Sequence, residues 1–220
     1  IPALGQSGVV EGSVVDAVTK APIAGAVVKL HQGGKPVHSG DTDALGVFRI
    51  EGVQQGEYRA VIDKPDYMRL ALDHPAAKTF AMSDASPKVS LRAELVPFGQ
   101  VTGRVLSPLG KPMKDVPVAM RRLWDAEWIQ ITVSGEGGVF RFPRLESGTW
   151  ILAVSPSHRI TSSDPALKQK PVEPPAEEEG LRVLWVATFF PDVTDMAGAG
   201  RIVVRPGTVL DGYDIKIRTM

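Results

Sequence analysis

The chain contains the same pattern twice, and this duplication limits its fold more than any other feature. Residues 12–56 and 103–148 follow one template. Gly12 answers to Gly103, Gly46 to Gly138 and Gly56 to Gly148, with the last two of each copy ten residues apart. Between those glycines stand Val47-Phe48-Arg49-Ile50 and Val139-Phe140-Arg141-Phe142. After them, Tyr58, Ala60 and Ile62 match Trp150, Leu152 and Val154; upstream, Ala26, Val28 and Leu30 match Val116, Val118 and Met120. Apolar residues at every second position put their side chains on one face of a strand, and helical three- and four-residue spacing is missing from these runs. Each copy therefore reads as a small β-sandwich with one buried face per strand.

The glycines have two physical causes. Gly46, Gly56, Gly138 and Gly148 lead into strands from polar stretches, where a turn needs positive φ. Gly12 and Gly103 lie inside alternating runs, which predicts a bulge or a close backbone approach. The 220 residues suit two domains, expected at 1–98 and 99–220 and joined through Pro97-Phe98-Gly99. So short a joint is expected to restrict their orientations. There is no cysteine, which excludes disulfides and thiolate metal sites. Formal charge is zero with no basic stripe, which argues against a nucleic-acid partner. No apolar run is long enough for a membrane-spanning helix. The start at Ile1 without methionine fits a processed terminus or an excised fragment.

Taken in order, the first copy predicts strands at 9–16, 26–31, 37–41, 47–50, 57–63 and 89–95, with a short helix or irregular crossover over Leu70 to Met82. The second predicts strands at 100–106, 116–122, 128–133, 139–142, 149–154, 181–190, 201–204 and 213–218. A Pro- and Glu-rich stretch near 168–180 reads as an exposed loop.

These residues resemble the carboxypeptidase regulatory-like family. In the first copy the resemblance rests on Val10-x-Gly12-x-Val14, Pro22-x-x-Gly25-Ala26-x-Val28, Thr42-Asp43-x-x-Gly46-x-Phe48 and Gly56-x-Tyr58. In the second it rests on Val101-x-Gly103-x-Val105, Gly138-x-Phe140 and Gly148-x-Trp150. Ser134-Gly135-Glu136 departs from the Thr-Asp start, and Asp115 stands where the family prefers glycine. The resemblance implies two tandem all-β domains, Ig-like or transthyretin-like Greek-key sandwiches of about seven strands each, also grouped with carbohydrate-binding-like folds. It also implies that such a domain accompanies something else, as in large bacterial surface and secreted proteins. The implied location is extracytoplasmic: periplasmic, secreted or cell surface.

Catalytic patterns are missing. His31, His38, His74 and His158 show no metal spacing, and His31 and His38 read as exposed strand residues even if a hairpin sets them face to face. Asp16, Asp41 and Asp43 are too sparse for calcium and read as turn residues. No Gly-x-Ser-x-Gly elbow or phosphate loop occurs. No cofactor is expected. The aromatics give the functional lead: Trp124 and Trp128 flank an enlarged hairpin tip in the second copy, beside Arg121 and Arg122. Exposed indoles stack on sugar rings or fill partner pockets, and Arg beside Trp is common in interface hot spots. Against this, tryptophan is mostly buried in folded proteins, which favours these rings covering the sandwich's own edge or touching the first domain. Trp150, Trp185, Phe189 and Phe190 read as core. The expected function is a non-catalytic structural or protein-interaction module within a larger protein. The second reading is a carbohydrate-binding module at Trp124 and Trp128 with polysaccharide as partner, and a hydrolase site in 157–190 is a distant third.

Overall fold

The computed structural model describes residues 7–68, 78–125, 130–154 and 185–219, with Lys78 and Trp185 described in the backbone alone. The chain divides into two compact units, Ile1–Pro97 and Phe98–Met220. Each is built on two facing sheets, and the second carries a further two-stranded sheet.

The first unit runs β1 (Gly8–Asp16), β2 (Val27–Gln32), β3 (Lys35–Asp41), β4 (Val47–Val53), β5 (Gly56–Asp63), β6 (Lys78–Met82) and β7 (Lys88–Leu95). One sheet has the order β4-β1-β7 and the other β3-β2-β5-β6. The β1–β7 pair is parallel and the rest are antiparallel. Alternation brings Val10, Val14, Phe48 and Ile50 from one sheet against Val28, Leu30, Tyr58, Ala60 and Ile62 from the other, and all are buried.

The second unit runs β8 (Gly99–Leu106), β9 (Pro117–Arg122), β10 (Gln130–Val133), β11 (Val139–Leu145), β12 (Gly148–Val154), β13 (Trp185–Val186), β14 (Thr188–Phe189), β15 (Ile202–Val204), β16 (Val209–Leu210), β17 (Ile215–Lys216) and β18 (Arg218–Thr219). The plan is the same, with β8 beside β11 and β9 between β10 and β12. The two outer positions differ. Where the first unit has β6, the second has β14 and β15 on successive parts of β12; where it has β7, the second has β16 and β17 on successive parts of β8. Val101, Val105, Val118, Met120, Phe140, Phe142, Trp150 and Leu152 form the equivalent core.

The repeat extends to individual hydrogen bonds. The Thr42 hydroxyl accepts from Ala26 N (2.8 Å) and donates to Ile23 O (2.6 Å). The Ser134 hydroxyl accepts from Val116 N (3.0 Å) and donates to Met113 O (2.7 Å). The departure at Ser134 thus keeps the bonding and drops a methyl. Asp115 likewise has φ of 62°, equal to that of Gly25, so the left-handed turn survives the exchange. Tyr58 Oη donates to Gln54 O and Trp150 Nε1 to Glu146 O, both at 3.0 Å and both four residues upstream. These are equivalent corners on β5 and β12, analogous to the tyrosine corner of Ig-like sandwiches. Gly12 and Gly103 are close approaches rather than bulges: a Cβ on Gly12 would lie 2.0 Å from Leu91 O, and one on Gly103 2.2 Å from Tyr213 O.

Several expectations need correction. Residues 78–82 form a strand, not part of a helix or crossover. Five residues are too few to show a period, and pairing with β5 decides the outcome, stacking Phe80 on Tyr58 at 5.7 Å. Residues 69–77, with His74 and Pro75, lie outside the described residues. The strand expected over 181–190 is interrupted at Ala187, since β13 pairs with β18 while β14 pairs with β12. The Thr188 hydroxyl stands in for ladder bonds at the break, donating to Val186 O and accepting from Arg218 N, both 3.0 Å. The strand expected over 213–218 is likewise divided, and β16 was not expected at all. Phe189 is buried on the outer face of its sheet with Ile151 and Ala153, not in the sandwich core. The Trp185 side chain, His158 and the stretch near 168–180 lie outside the described residues.

Candidate functional site

The second unit's hairpin begins where β9 ends. Leu123 N donates to Thr149 O (2.9 Å) and Asp125 N to Arg122 O (3.2 Å), so the turn is tied to β12 and to itself. The turn past the end of β9 sends the next two side chains apart. Leu123 packs on the outer face with Ile151, Ala153 and Phe189. Trp124 turns the other way and stays 67% exposed, the most open aromatic among the described residues. Its Cη2 lies 3.9 Å from the place a Cβ would take on Gly148, and Trp150 Nε1 lies 3.8 Å from that place. Both separations are ordinary contacts that a Cβ would tolerate, so Gly148 is required by its φ of 155° rather than by the Trp124 ring edge.

The two arginines part company. Arg122 pairs across the ladder with Trp150, and its guanidinium stands 5.6 Å from that ring's centroid. It also forms an ion pair with Glu146. Arg121 pairs with Ile151 on the opposite face; one terminal nitrogen donates to Asp125 O and the other meets Met196 Sδ. Trp124 therefore has Arg122 and Glu146 on its side, while Arg121 braces the turn from the other side. Trp128 lies outside the described residues. Sequence reasoning missed Glu146 and Gly148 as site residues. Their signal was the repeat, which sets Glu146 at the place of Gln54. That Arg122 meets Trp150 is a matter of register, which the repeat does not state.

The remaining candidates serve structure. His31 and His38 do not face each other. His31 is on the outer face, with Nδ1 3.2 Å from Gly34 O. His38 pairs with Leu30 and turns towards Tyr58, with ring centroids 6.3 Å apart. Both are half-buried rather than exposed. Asp43 Oδ1 accepts from Leu45 N and Val47 N at 2.9 Å, within its own turn. Asp16 is 8% exposed; it accepts from Val18 N (2.7 Å), Thr19 N (2.8 Å) and the Tyr67 hydroxyl (3.0 Å). Burial pushes its carboxyl up, but those bonds outweigh it and hold the pKa below the ordinary 3.8. The same contact and burial push the Tyr67 phenol up, burial more strongly. Among the described residues, no three His, Cys, Asp or Glu gather as metal ligands. No helix among them is long and apolar enough to cross a membrane.

Each unit is an all-β sandwich, and among the described residues of the second one indole, Trp124, is exposed beside an arginine–glutamate pair. Residues 9–78 match the model of the carboxypeptidase regulatory-like domain, so the likeness lies in the first unit and covers about a third of the chain. No curated protein matches. Solved structures with similar chains include the TIE protein of Bacillus anthracis (13% identity, 96% of this chain and 34% of that one, TM-score 0.37). A streptococcal ancillary pilin follows (15%, 95% and 62%, TM-score 0.44). GBS52, the minor pilin of Streptococcus agalactiae, is a third (11%, 97% and 96%, TM-score 0.44). This chain spans about a third of the first of these proteins and less than two thirds of the second. At such identities and TM-scores no function passes from them to this chain.

Proposed function

We propose that the chain is a non-catalytic, extracytoplasmic structural and protein-interaction module, part of a larger bacterial secreted or surface protein, and that it meets its partner at Trp124. The observation that carries this reading is the 67% exposure of Trp124 on a turn hydrogen-bonded to β12. A large apolar ring held open on a fixed support loses little entropy when it enters a partner's pocket. Arg122 and Glu146 beside it offer donors and acceptors at the rim. Among the described residues, Asp16 and Asp43 are committed to their turns and Ser134 to Val116 N and Met113 O.

The same ring and ion pair also suit the face and hydroxyls of a sugar, which keeps carbohydrate binding as the second reading. A glycan array probed with the intact chain and with a folded Trp124→Ala/Trp128→Ala variant separates the two. The module reading expects no glycan bound above background. Specific binding by the intact chain that vanishes in the variant would replace it with a carbohydrate-binding module. Photo-crosslinking from position 124 on intact cells, with position 45 as an equally exposed control, then tests the protein partner. Equal yields at both positions would refute docking at Trp124.

A further inference from the structure

The first unit has an open strand edge with a self-complementary sequence. β7 pairs with β1 over eight consecutive residues without a break, and among the described residues no strand pairs with its other side, where the first contact comes just past its end, Met68 N donating to Val96 O (2.8 Å). The other outer strands are blunted. β3 contains Pro36 and a register shift, β4 has a shift and Gly52 at φ 76°, and β6 has five residues. The corresponding edge of the second unit is cut into β16 and β17, each of two residues. Between them Tyr213 N donates to Thr102 O (3.1 Å), while Asp211 accepts from the Thr102 hydroxyl and Asp214 from Arg104 N (2.9 Å), so side chains share the pairing there.

Carbonyl directions show which β7 residues are free. Val9 N donates to Pro87 O and Ala17 N to Leu95 O, both 2.8 Å, and Leu91 O faces Gly12. Odd-numbered residues therefore point their backbone groups at β1. Lys88, Ser90, Arg92 and Glu94 point theirs to the open edge. Those four side chains stand on the exposed face, while Val89 and Leu91 stay partly exposed against the core.

We propose that β7 is a self-association edge, along which two copies of this chain pair antiparallel about a two-fold axis at Leu91. This register sets Lys88 opposite Glu94 of the second copy, Ser90 opposite Arg92, and Leu91 opposite itself. Every directly opposed even-numbered pair then has both members' backbone groups aimed at each other, as an antiparallel ladder requires. Sliding by two residues sets Lys88 against Arg92 in one direction and Arg92 against itself in the other. Like charges directly opposite are destabilising, so charge selects the central register. Lys88 and Glu94 keep their internal partners Glu11 and Lys20 while gaining one across the axis, since both remain well exposed. The two three-stranded sheets become one of six strands, and the contact is isologous and closed.

Sedimentation velocity on the full chain tests this. The expected result is a reversible dimer as concentration rises to about 100 µM, in the range of a modest interface. Ser90→Pro removes an N–H aimed at the open edge and none aimed at β1, so the variant keeps its fold and dimerises at least about tenfold more weakly. Lys88→Glu weakens the dimer, and adding Glu94→Lys restores it, a result that does not depend on how the proline is tolerated. The chain has no cysteine, so Leu91→Cys gives a single thiol at the axis. Non-bonded antiparallel pairs have Cα atoms about 4.5 Å apart, within disulfide reach, and mild oxidation should crosslink the copies. A chain that stays monomeric throughout, a dimer indifferent to Ser90→Pro, or a double charge reversal that fails to restore association would each overturn the proposal.

Discussion

Replacing Gly103 by alanine tests the packing argument with a built-in optical reporter. The new Cβ would sit 2.2 Å from Tyr213 O, 2.5 Å from Tyr213 C and 2.8 Å from Phe140 Cζ. Two of these are backbone atoms, so no rotamer change relieves them. Reaching an ordinary contact of about 3.4 Å requires the 213 backbone to retreat by roughly 1.2 Å. The Tyr213 N to Thr102 O bond, now 3.1 Å, would then pass beyond hydrogen-bond range. Overpacking costs about 1–3 kcal/mol and the lost bond about 0.5–1.5 kcal/mol, which together suggest roughly 3 kcal/mol. With a urea slope of about 2 kcal/mol/M for a domain this size, the midpoint should fall by about 1.5 M. All four tryptophans belong to the second unit, so their fluorescence reports that unit. Gly12→Ala makes the equivalent collision with Leu91 O in a unit without tryptophan. It should move a far-UV dichroism transition instead. A Gly103→Ala midpoint within about 0.3 M of the parent, or about 0.6 kcal/mol on that slope, would refute the reasoning.

Two further outcomes follow from the repeat's polar bonds. Ser134→Ala leaves Val116 N and Met113 O without the hydroxyl that serves both, and should cost about 1–3 kcal/mol, whereas Ser134→Thr, which installs the first unit's residue, should cost much less. Urea melts followed by tryptophan fluorescence give both values, and equal costs for the two variants would count against the hydroxyl. Asp16 has a folded pKa below its ordinary 3.8, so its contribution is present above that value and is lost as pH falls through the folded pKa. Asp16→Asn should therefore be less stable near neutrality and show a shallower acid limb. A parallel acid limb in variant and parent would show that Asp16 is not the linked group.

The sequence carried the sandwich because alternation and paired glycines are local signals. Val10, Phe48, Tyr58 and their counterparts had to share a buried face whatever their partners were. Gly12 and Gly103 pointed to a bulge or a close approach, and only the neighbouring backbones of Leu91 and Tyr213 decided for the second. The strands that escaped detection are short and lie on outer positions. β6 and β16 have too few residues to show a period, and each owes its state to the strand it pairs with.

The site divides in the same way. Enlargement of the second hairpin and its aromatic content were legible in the residues, and Trp124 is open. That Arg121 and Arg122 serve opposite faces, with Glu146 closing one pair and Met196 meeting the other, depends on register between β9 and β12. The four charged and polar residues of β7 are plain in the sequence as well, but only the direction of Pro87 and Leu95 carbonyls shows which backbone groups face outwards. Periodicity within a strand assigns side chains to faces, so the sequence determined the two sandwiches and their cores. It does not record which strands lie side by side, so tertiary pairing alone decided which edge stayed open and which charges met.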